Sequence, residues 1–467
     1  MRVAIVDGDV SYPATSGKRL RTLNLMLRLA PRHQIVYIGR CAPGSDEQKL
    51  APDFLRSHGI EPVIVADPVP KKSGVAFYAR LARNLLSSSP YSVTSHQSQA
   101  MRDAVGRVAR EQRIDLWQFE WTPYLDALDR AIAAPRLVMA HNVDTLIWQR
   151  YYENETRFLH RRFLKTQWRK FEAFEKRAFA RADRVVAVSE EDAKLIRTQF
   201  GQPATDVVDN GIDREFFASV QGPHDPHTVL FLGALDWRPN LDAVELLLSR
   251  IFPEVRRQEP SVKLVIVGRN PPAALATRIA GTPGIELHAN VPDVRPFLGQ
   301  AGAMTVPLRI GGGSRLKILE ALASGLPVVS TKVGAEGLNL IPGEHFVEAD
   351  EHAMASALVE AIRHPDRMRQ QVEVARILVA AQYDWGVLAE KLEASWNRCL
   401  HPLPLGLGSP LAPREDSGSA PSDRMANSRT PLAEREGYLE GKPPHDAAPS
   451  PPAPLPRRGE GSKAGAA

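Results

Sequence analysis

Short apolar runs that end in polar turns and alternate with helix-patterned stretches constrain this chain more than any other feature. Val3-Ala4-Ile5-Val6 ends at Asp7-Gly8-Asp9, a polar loop follows, and Leu20, Leu23, Leu27 and Ala30 then recur at helical spacing until Pro31. Residues 35–39, 63–65, 115–119, 137–140 and 184–189 continue the alternation. Such runs read as strands of a parallel sheet buried on both faces, with ligands expected at the strands' carboxyl ends. The alternation restarts at residues 228–233 and goes on through 264–269, 285–287, 303–306 and 327–330. The restart predicts an α/β chain of two Rossmann-like domains, 1–205 and 206–382. A last helix, 383–400, is expected to pack back on the first domain. Residues 401–467 are rich in Pro, Gly, Ser, Ala and charge, with few large apolar side chains. They cannot offset the entropy cost of ordering and are expected to be disordered.

Composition narrows the partners. Hydrophobic residues make up 43% and charged residues 24% of 467, the range of a soluble globular protein. A formal charge of +5 permits acidic partners without demanding nucleic acid, and none is expected. Cys41 and Cys399 match no metal spacing and read as free thiols of a reducing compartment. No run approaches the ~20 apolar residues of a membrane span, and Met1-Arg2 leads straight into the first strand without room for a signal peptide. A cytoplasmic location is expected. Residues 158–184 interleave Arg161, Arg162, Lys165, Arg169, Lys170, Lys176, Arg177 and Arg181 with Phe163, Trp168, Phe171, Phe174 and Phe179. Two readings stay open here: a helix in peripheral contact with an anionic membrane, or a domain helix with its aromatics in the core.

Residues 306–329 carry the densest chemistry. An apolar run reaching Val306 precedes Gly311, Gly312 and Gly313, and Ser314 then opens a helical pattern that Gly325 and Pro327 stop. A strand, a glycine turn and a helix N-terminus form an anion site, because unpaired backbone N–H groups and the helix dipole point outward there. Arg315 and Lys317 sit where cations oppose that dipole, so they point to a bound phosphate or diphosphate, against the plainer reading of a basic surface loop. Asp7-Gly8-Asp9 has the form of a D-x-D metal motif, but no second acidic cluster accompanies it. No metal and no cofactor are expected.

Together, Ser16-Gly17, A-D-R-V-V-A-V-S-E at 182–190, D-N-G-I-D at 209–213, F-L-G-A-L-D-W-R-P-N at 231–240, V-G-R-N-P at 267–271, V-P-D-V-R-P-F-L at 291–298 and the 306–329 stretch resemble one family. It is the large glycosyltransferase family 4 (group 1) of retaining enzymes with the GT-B fold, two Rossmann-like domains facing across a cleft. Within it, G-A-L-D-W-R-P-N-L-D-A and G-G-G-S-R-L-K are most similar to bacterial sugar transferases of exopolysaccharide clusters, and the start, V-D-G-D-V-S-Y-P-A-T-S-G-K-R-L-R, resembles the PEP-CTERM/exosortase-associated subset. The resemblance implies a nucleotide diphosphate sugar donor in the C-terminal domain and a saccharide or lipid-linked saccharide acceptor in the N-terminal one. It implies catalytic roles for Arg315 and Lys317 on the diphosphate and for His141 near the sugar, with Asp144 as its neighbour. Donor-binding roles fall to Gly17, Arg238, Arg269, Gly311, Gly312, Gly313, Ser314 and Glu320, the last on the ribose hydroxyls. Lys18, Arg19 and Arg21 beside Gly17 are expected to serve phosphates or an anionic lipid acceptor.

Retention follows from the resemblance alone, and no nucleophile is named. Two departures stand out: Gly312 occupies the place of the family's first glutamate, and Gly233-Ala234 replaces an arginine common in relatives, leaving Arg238 and Asn240 nearby. A nucleotide-sugar epimerase of the same fold and a non-catalytic nucleotide-sugar-binding scaffold are the rival readings.

Overall fold

The computed structural model describes residues 1–70, 73–310 and 315–402. The expectations for residues 311–314 and for the tail beyond 402 lie outside the described residues. The first domain holds β1 (Arg2–Asp7), β2 (Gln34–Cys41), β3 (Ile60–Ala66), β4 (Leu116–Phe119), β5 (Arg136–Ala140), β6 (Arg184–Ala187) and β7 (Thr205–Val207). The second holds β8 (Asp225–Leu232), β9 (Lys263–Gly268), β10 (Ile285–Ala289), β11 (Ala301–Val306), β12 (Val328–Ser330) and β13 (Val347–Glu348). The seven-stranded sheet runs β3-β2-β1-β4-β5-β6-β7 and the six-stranded one β10-β9-β8-β11-β12-β13. The strand pairings are parallel. Two Rossmann-like domains are therefore present, the GT-B architecture. β7 completes the first sheet, two residues past the expected boundary at 205.

Side-chain alternation along β1 sends Ala4 and Val6 to one core and Val3 and Ile5 to the other, as a strand buried on both faces requires. One core packs Trp117, Phe119, Phe171, Phe174 and Phe179. The other contains Trp385, Leu388, Leu392 and Trp396 from the final helix, Trp385–Leu400. That helix returns from the second domain to the first. Asp384 caps its N-terminus through a 2.7 Å bond from the Gly386 amide. The two chain crossings between domains lie side by side: the Ile212 amide donates to the Tyr383 carbonyl at 2.8 Å, and the Trp385 amide to the Ile212 carbonyl at 3.2 Å.

Strand order reverses where β4 joins β1 and again where β11 joins β8. Open α/β sheets bind ligands at the carboxyl ends of such junctions. Asp7 and Glu120 stand at the first junction, and Gly233 and the loop after Val306 at the second.

The basic helix spans Phe158–Phe179. Phe171, Phe174 and Phe179 enter the core while Arg161, Arg162, Arg169, Lys176 and Arg177 stay exposed, which is the domain-helix arrangement. Its first turn differs, with Phe158 70% and Leu159 79% exposed. Glu175 is buried rather than part of a solvated face. It accepts bonds from the Asp144 and Thr145 amides, both at 2.9 Å, at the start of helix Asp144–Asn154. Burial and the neighbouring Asp144 push the Glu175 carboxyl up to about 8. Among the described residues, no helix is long and apolar enough to cross a membrane. Cys41 and Cys399 are buried free thiols.

Candidate functional site

On the second domain the site is built around Lys317. Its helix is Leu316–Ala323, later than a start at Ser314 would give, with Arg315 at the N-cap in a left-handed conformation, φ 50°. A non-glycine residue held there costs about 1–3 kcal/mol and persists only where its surroundings impose it. The surroundings are visible: Arg315 Nη2 donates to the Val333 carbonyl at 2.8 Å and lies 3.6 Å from Glu336 Oε2. Burial lowers the guanidinium's pKa.

Lys317 Nζ donates to Asn240 Oδ1 at 3.0 Å and sits 5.0 Å from the centroid of the Phe231 ring. Asn240 is itself turned toward the strand end by a 2.9 Å bond from Nδ2 to the Ala234 carbonyl. A Cβ at Gly233 would fall 2.8 Å from the Asn240 side chain, so glycine at 233 makes room for this amide. Among the described residues no carboxylate lies within ion-pair distance of Lys317. Burial, with Arg315 adding to it, lowers the ammonium to about 8.

Glu320 lies one helical turn further on and is half-buried. Burial, opposed by Lys317, raises its carboxyl to about 7. No group among the described residues donates a hydrogen bond to that carboxylate. A desolvated carboxylate without a donor is costly unless a ligand supplies one.

The Arg315 anchor depends on a tight turn. Thr331 caps helix Lys332–Ala335 through a 2.9 Å bond from the Gly334 amide and donates to the Leu308 carbonyl at 2.6 Å. A Cβ at Gly334 would fall 2.3 Å from Ser330 Oγ and 2.7 Å from the Val306 carbonyl oxygen. Gly334→Ala is expected to cost about 1–3 kcal/mol of stability, the usual penalty of overpacking. It should also loosen the Arg315 anchor, because Val333 moves with the turn. Urea unfolding and hydrogen exchange on one preparation check both effects.

On the first domain the site gathers at the carboxyl ends of β1, β4 and β5. His141 Nε2 lies 2.9 Å from Glu120 Oε2, which also accepts from Thr22 Oγ1 at 2.8 Å. Gln118 Nε2 donates to Glu120 Oε1 at 2.5 Å. Burial raises the Glu120 carboxyl, but His141, Lys18 and Gln118 outweigh it and hold it at about 2. Burial lowers the pKa of His141, and Arg21 and Lys18 add to this against the pull of Glu120.

The expectation that Lys18, Arg19 and Arg21 serve phosphates or a lipid is corrected. Lys18 pairs with buried Asp7, and Arg19 with Asp9 at 2.6 Å and Glu47 at 2.7 Å. Arg21 is 1% exposed and donates to the Val208 carbonyl at 2.6 Å and to the Asp209 carbonyl, fastening the interdomain crossing. Each guanidinium or ammonium has an internal partner. Asp7 and Asp9 are likewise engaged by cations. Among the described residues, no three His, Cys, Asp or Glu side chains converge as a metal site.

The structure thus brings Arg315, Lys317 and Glu320 together and sets His141 in a separate buried cluster. Gly17 is the exposed first residue of helix Gly17–Leu29. Arg238 opens helix Arg238–Leu246 and Arg269 follows β9, both exposed. Gly311, Gly312, Gly313 and Ser314 lie outside the described residues. Asp144 accepts from Trp121 Nε1 at 2.6 Å, and burial raises its carboxyl to about 6. Glu120 was not singled out from sequence. The available signal was a charged residue directly after a buried strand, where ligands bind.

Two family models match in tandem: Glycosyltransferase Family 4 over residues 20–216 and Glycosyl transferases group 1 over residues 226–364. A D-inositol 3-phosphate glycosyltransferase of Corynebacterium diphtheriae is 30% identical over 165 residues, 33% of this chain and 39% of that protein. A human phosphatidylinositol N-acetylglucosaminyltransferase component is 25% identical over 226 residues, 46% of this chain and 45% of that protein. The chain thus spans less than half the length of these curated relatives. Among solved structures, a sucrose-phosphate synthase from Thermosynechococcus elongatus superposes with a TM-score of 0.61 at 18% identity, covering 85% of this chain and 99% of that one. Anabaena HepE in complex with UDP and glucose gives 0.57 at 13% identity, covering 85% and 99%. At these identities the likeness shows the fold.

Proposed function

Because the chain belongs to the family 4 and group 1 glycosyltransferases, with one domain of each description in tandem on a GT-B fold, we propose that it moves a sugar from a nucleotide diphosphate sugar to a hydroxyl acceptor with retention. The observation that carries the reading is Lys317. A half-buried ammonium held by an amide and a ring face, with no carboxylate within ion-pair distance among the described residues, is costly unless an anion completes the site. Arg315 supplies a second cation one residue before the same helix. Charge develops on the leaving diphosphate as the glycosidic bond breaks, and preorganised cations stabilise it. Arg315 offers a planar fork to phosphate oxygens and Lys317 a point charge. Glu320 accepts from the ribose hydroxyls, and His141 faces the sugar. The leaving phosphate assists deprotonation of the acceptor, so no protein nucleophile is required.

The acceptor we favour is a lipid-linked saccharide at the inner face of the cytoplasmic membrane, in exopolysaccharide or other cell-surface glycan synthesis. Exposed Phe158 and Leu159 beside exposed Arg157, Arg161 and Arg162 support peripheral contact with an anionic membrane. Relatives named for phosphatidylinositol and inositol phosphate substrates support a polyol or lipid acceptor. The HepE complexes make UDP sugars the first donors to test.

A thermal-shift screen against nucleotide sugars tests the donor assignment, since a ligand at 100 times its Kd stabilises by about 2.7 kcal/mol. Silence across all donors would overturn it. An epimerised product formed without acceptor would replace transfer with epimerisation. The titrations add a pH signature. An anion favours protonated Lys317, so affinity for a nucleoside diphosphate should fall as pH rises through about 8. Hydroxyl recognition favours ionised Glu320, so affinity should also fall as pH drops below about 7. Calorimetry across this range should show both limbs, with Lys317→Arg losing the alkaline one and Glu320→Gln the acidic one.

A further inference from the structure

We infer that Glu120 is a positioning residue that locks His141 in its Nε2–H tautomer and presents Nδ1 as a hydrogen-bond acceptor to a hydroxyl of the bound sugar. The inference rests on the transferase reading above, and one directional chain of hydrogen bonds carries it.

The chain starts in the last helix. Trp396 is fully buried, and its indole Nε1–H lies 2.6 Å from Gln118 Oε1. An indole N–H only donates, so this end of Gln118 must be its carbonyl oxygen and the other end its NH2 group. That NH2 group donates to Glu120 Oε1 at 2.5 Å. Glu120 is 1% exposed and takes Thr22 Oγ1 and His141 Nε2 on its other oxygen, at 2.8 and 2.9 Å. An ionised carboxylate only accepts, so His141 must donate through Nε2. In a neutral imidazole the proton on Nε2 leaves Nδ1 bare, and Nδ1 has no partner among the described residues.

Burial favours the neutral ring, and Arg21 and Lys18 add to this against the pull of Glu120. A bare Nδ1 cannot donate to a phosphate or a carbonyl. It selects a partner that carries a proton, which at the end of β5 is a sugar hydroxyl. Trp396 reaches the first domain on the helix that follows the second, so the tautomer also depends on that helix being seated.

Nitrogen-15 NMR of the histidine-labelled full chain tests this, with His141→Gln identifying the resonance. The expected result is an Nε2–H tautomer for His141 at neutral pH, sharpened or shifted at Nδ1 by a nucleotide sugar but not by UDP. Glu120→Gln offers the ring either an oxygen or an NH2 group. It should give a mixed tautomer and a roughly tenfold lower kcat with the UDP Kd unchanged. Glu120→Asp should recover the tautomer and most of kcat. Trp396→Phe frees Gln118 to turn over and should give a smaller loss of the same kind. An Nδ1–H tautomer or an imidazolium in the wild-type chain would overturn the inference. So would a Glu120→Gln chain with unchanged tautomer and unchanged kcat. The tautomer is read without turnover, so it decides the matter even if no donor is found or Glu120→Gln fails to fold. A chain that binds no nucleotide sugar yet shows the expected tautomer would instead count against the transferase reading.

Discussion

Lys317→Ala is expected to lower kcat/KM by about 10²–10³, the loss typical of removing one preorganised donor from a developing oxyanion. The wild-type ammonium is desolvated and aimed by Asn240, so it needs little reorganisation as the diphosphate charge grows. Alanine would leave Arg315 as the remaining cation at the start of the Leu316 helix, already engaged by the Val333 carbonyl and near Glu336. The loss should fall on kcat more than on KM, because the charge on the leaving group is greatest in the transition state. Lys317→Arg should recover part of the rate and no more, since a planar fork does not reproduce the Asn240 and Phe231 seat. Steady-state kinetics with the donor found by screening would check both substitutions. Fold stability should change little or rise, as a half-buried cation with no ion-pair partner among the described residues is removed.

Trp396→Ala is expected to destabilise the first domain by about 3–5 kcal/mol, the range for truncating a buried tryptophan. Its indole is fully buried in the core that also holds Val3, Ile5, Tyr37 and Leu116, and its removal also leaves the Gln118 carbonyl without its donor. A domain's net stability is of the order of 5–15 kcal/mol, so this is a large fraction of it. Hydrogen exchange should locate the effect. Protection should drop in β1 to β7 and in the Trp385–Leu400 helix, while β8 to β13 keep theirs. A uniform loss over both sheets would mean that the domains unfold together.

Much of the fold was legible because buried parallel strands leave a strong signal. Runs such as Leu264-Val265-Ile266-Val267 fit no solvent-facing element, and the restart at Thr228 marks the second sheet. The last helix announced itself through Asp384 before Trp385, a cap beside a large apolar residue. The reading of Arg315 and Lys317 as anion-binding cations came from a local signal too, since cations at a helix start oppose its dipole. What sequence could not give was pairing. Lys18, Arg19 and Arg21 looked like a phosphate-binding set, and nothing local shows that Asp7, Asp9, Glu47 and the carbonyls of Val208 and Asp209 engage them. Those partners are set by tertiary contacts of up to 188 residues' separation. Glu120 was hidden likewise, because its meaning comes from Thr22, Gln118 and His141 converging from two strand ends and a helix. Arg315 was read as a cation at an anion site, whereas its left-handed backbone and its hold on Val333 belong to the folded turn.

If the Arg315–Lys317 helix start receives the donor's diphosphate, as proposed, UDP affinity must depend on Lys317. Calorimetric titration of UDP and of uridine into the wild-type and Lys317→Ala chains at neutral pH tests it most directly. Wild-type should bind UDP far more tightly than uridine, and Lys317→Ala should weaken UDP by at least about tenfold, one 1.4 kcal/mol step, while leaving uridine unchanged. Equal UDP affinity in the two chains would contradict the claim.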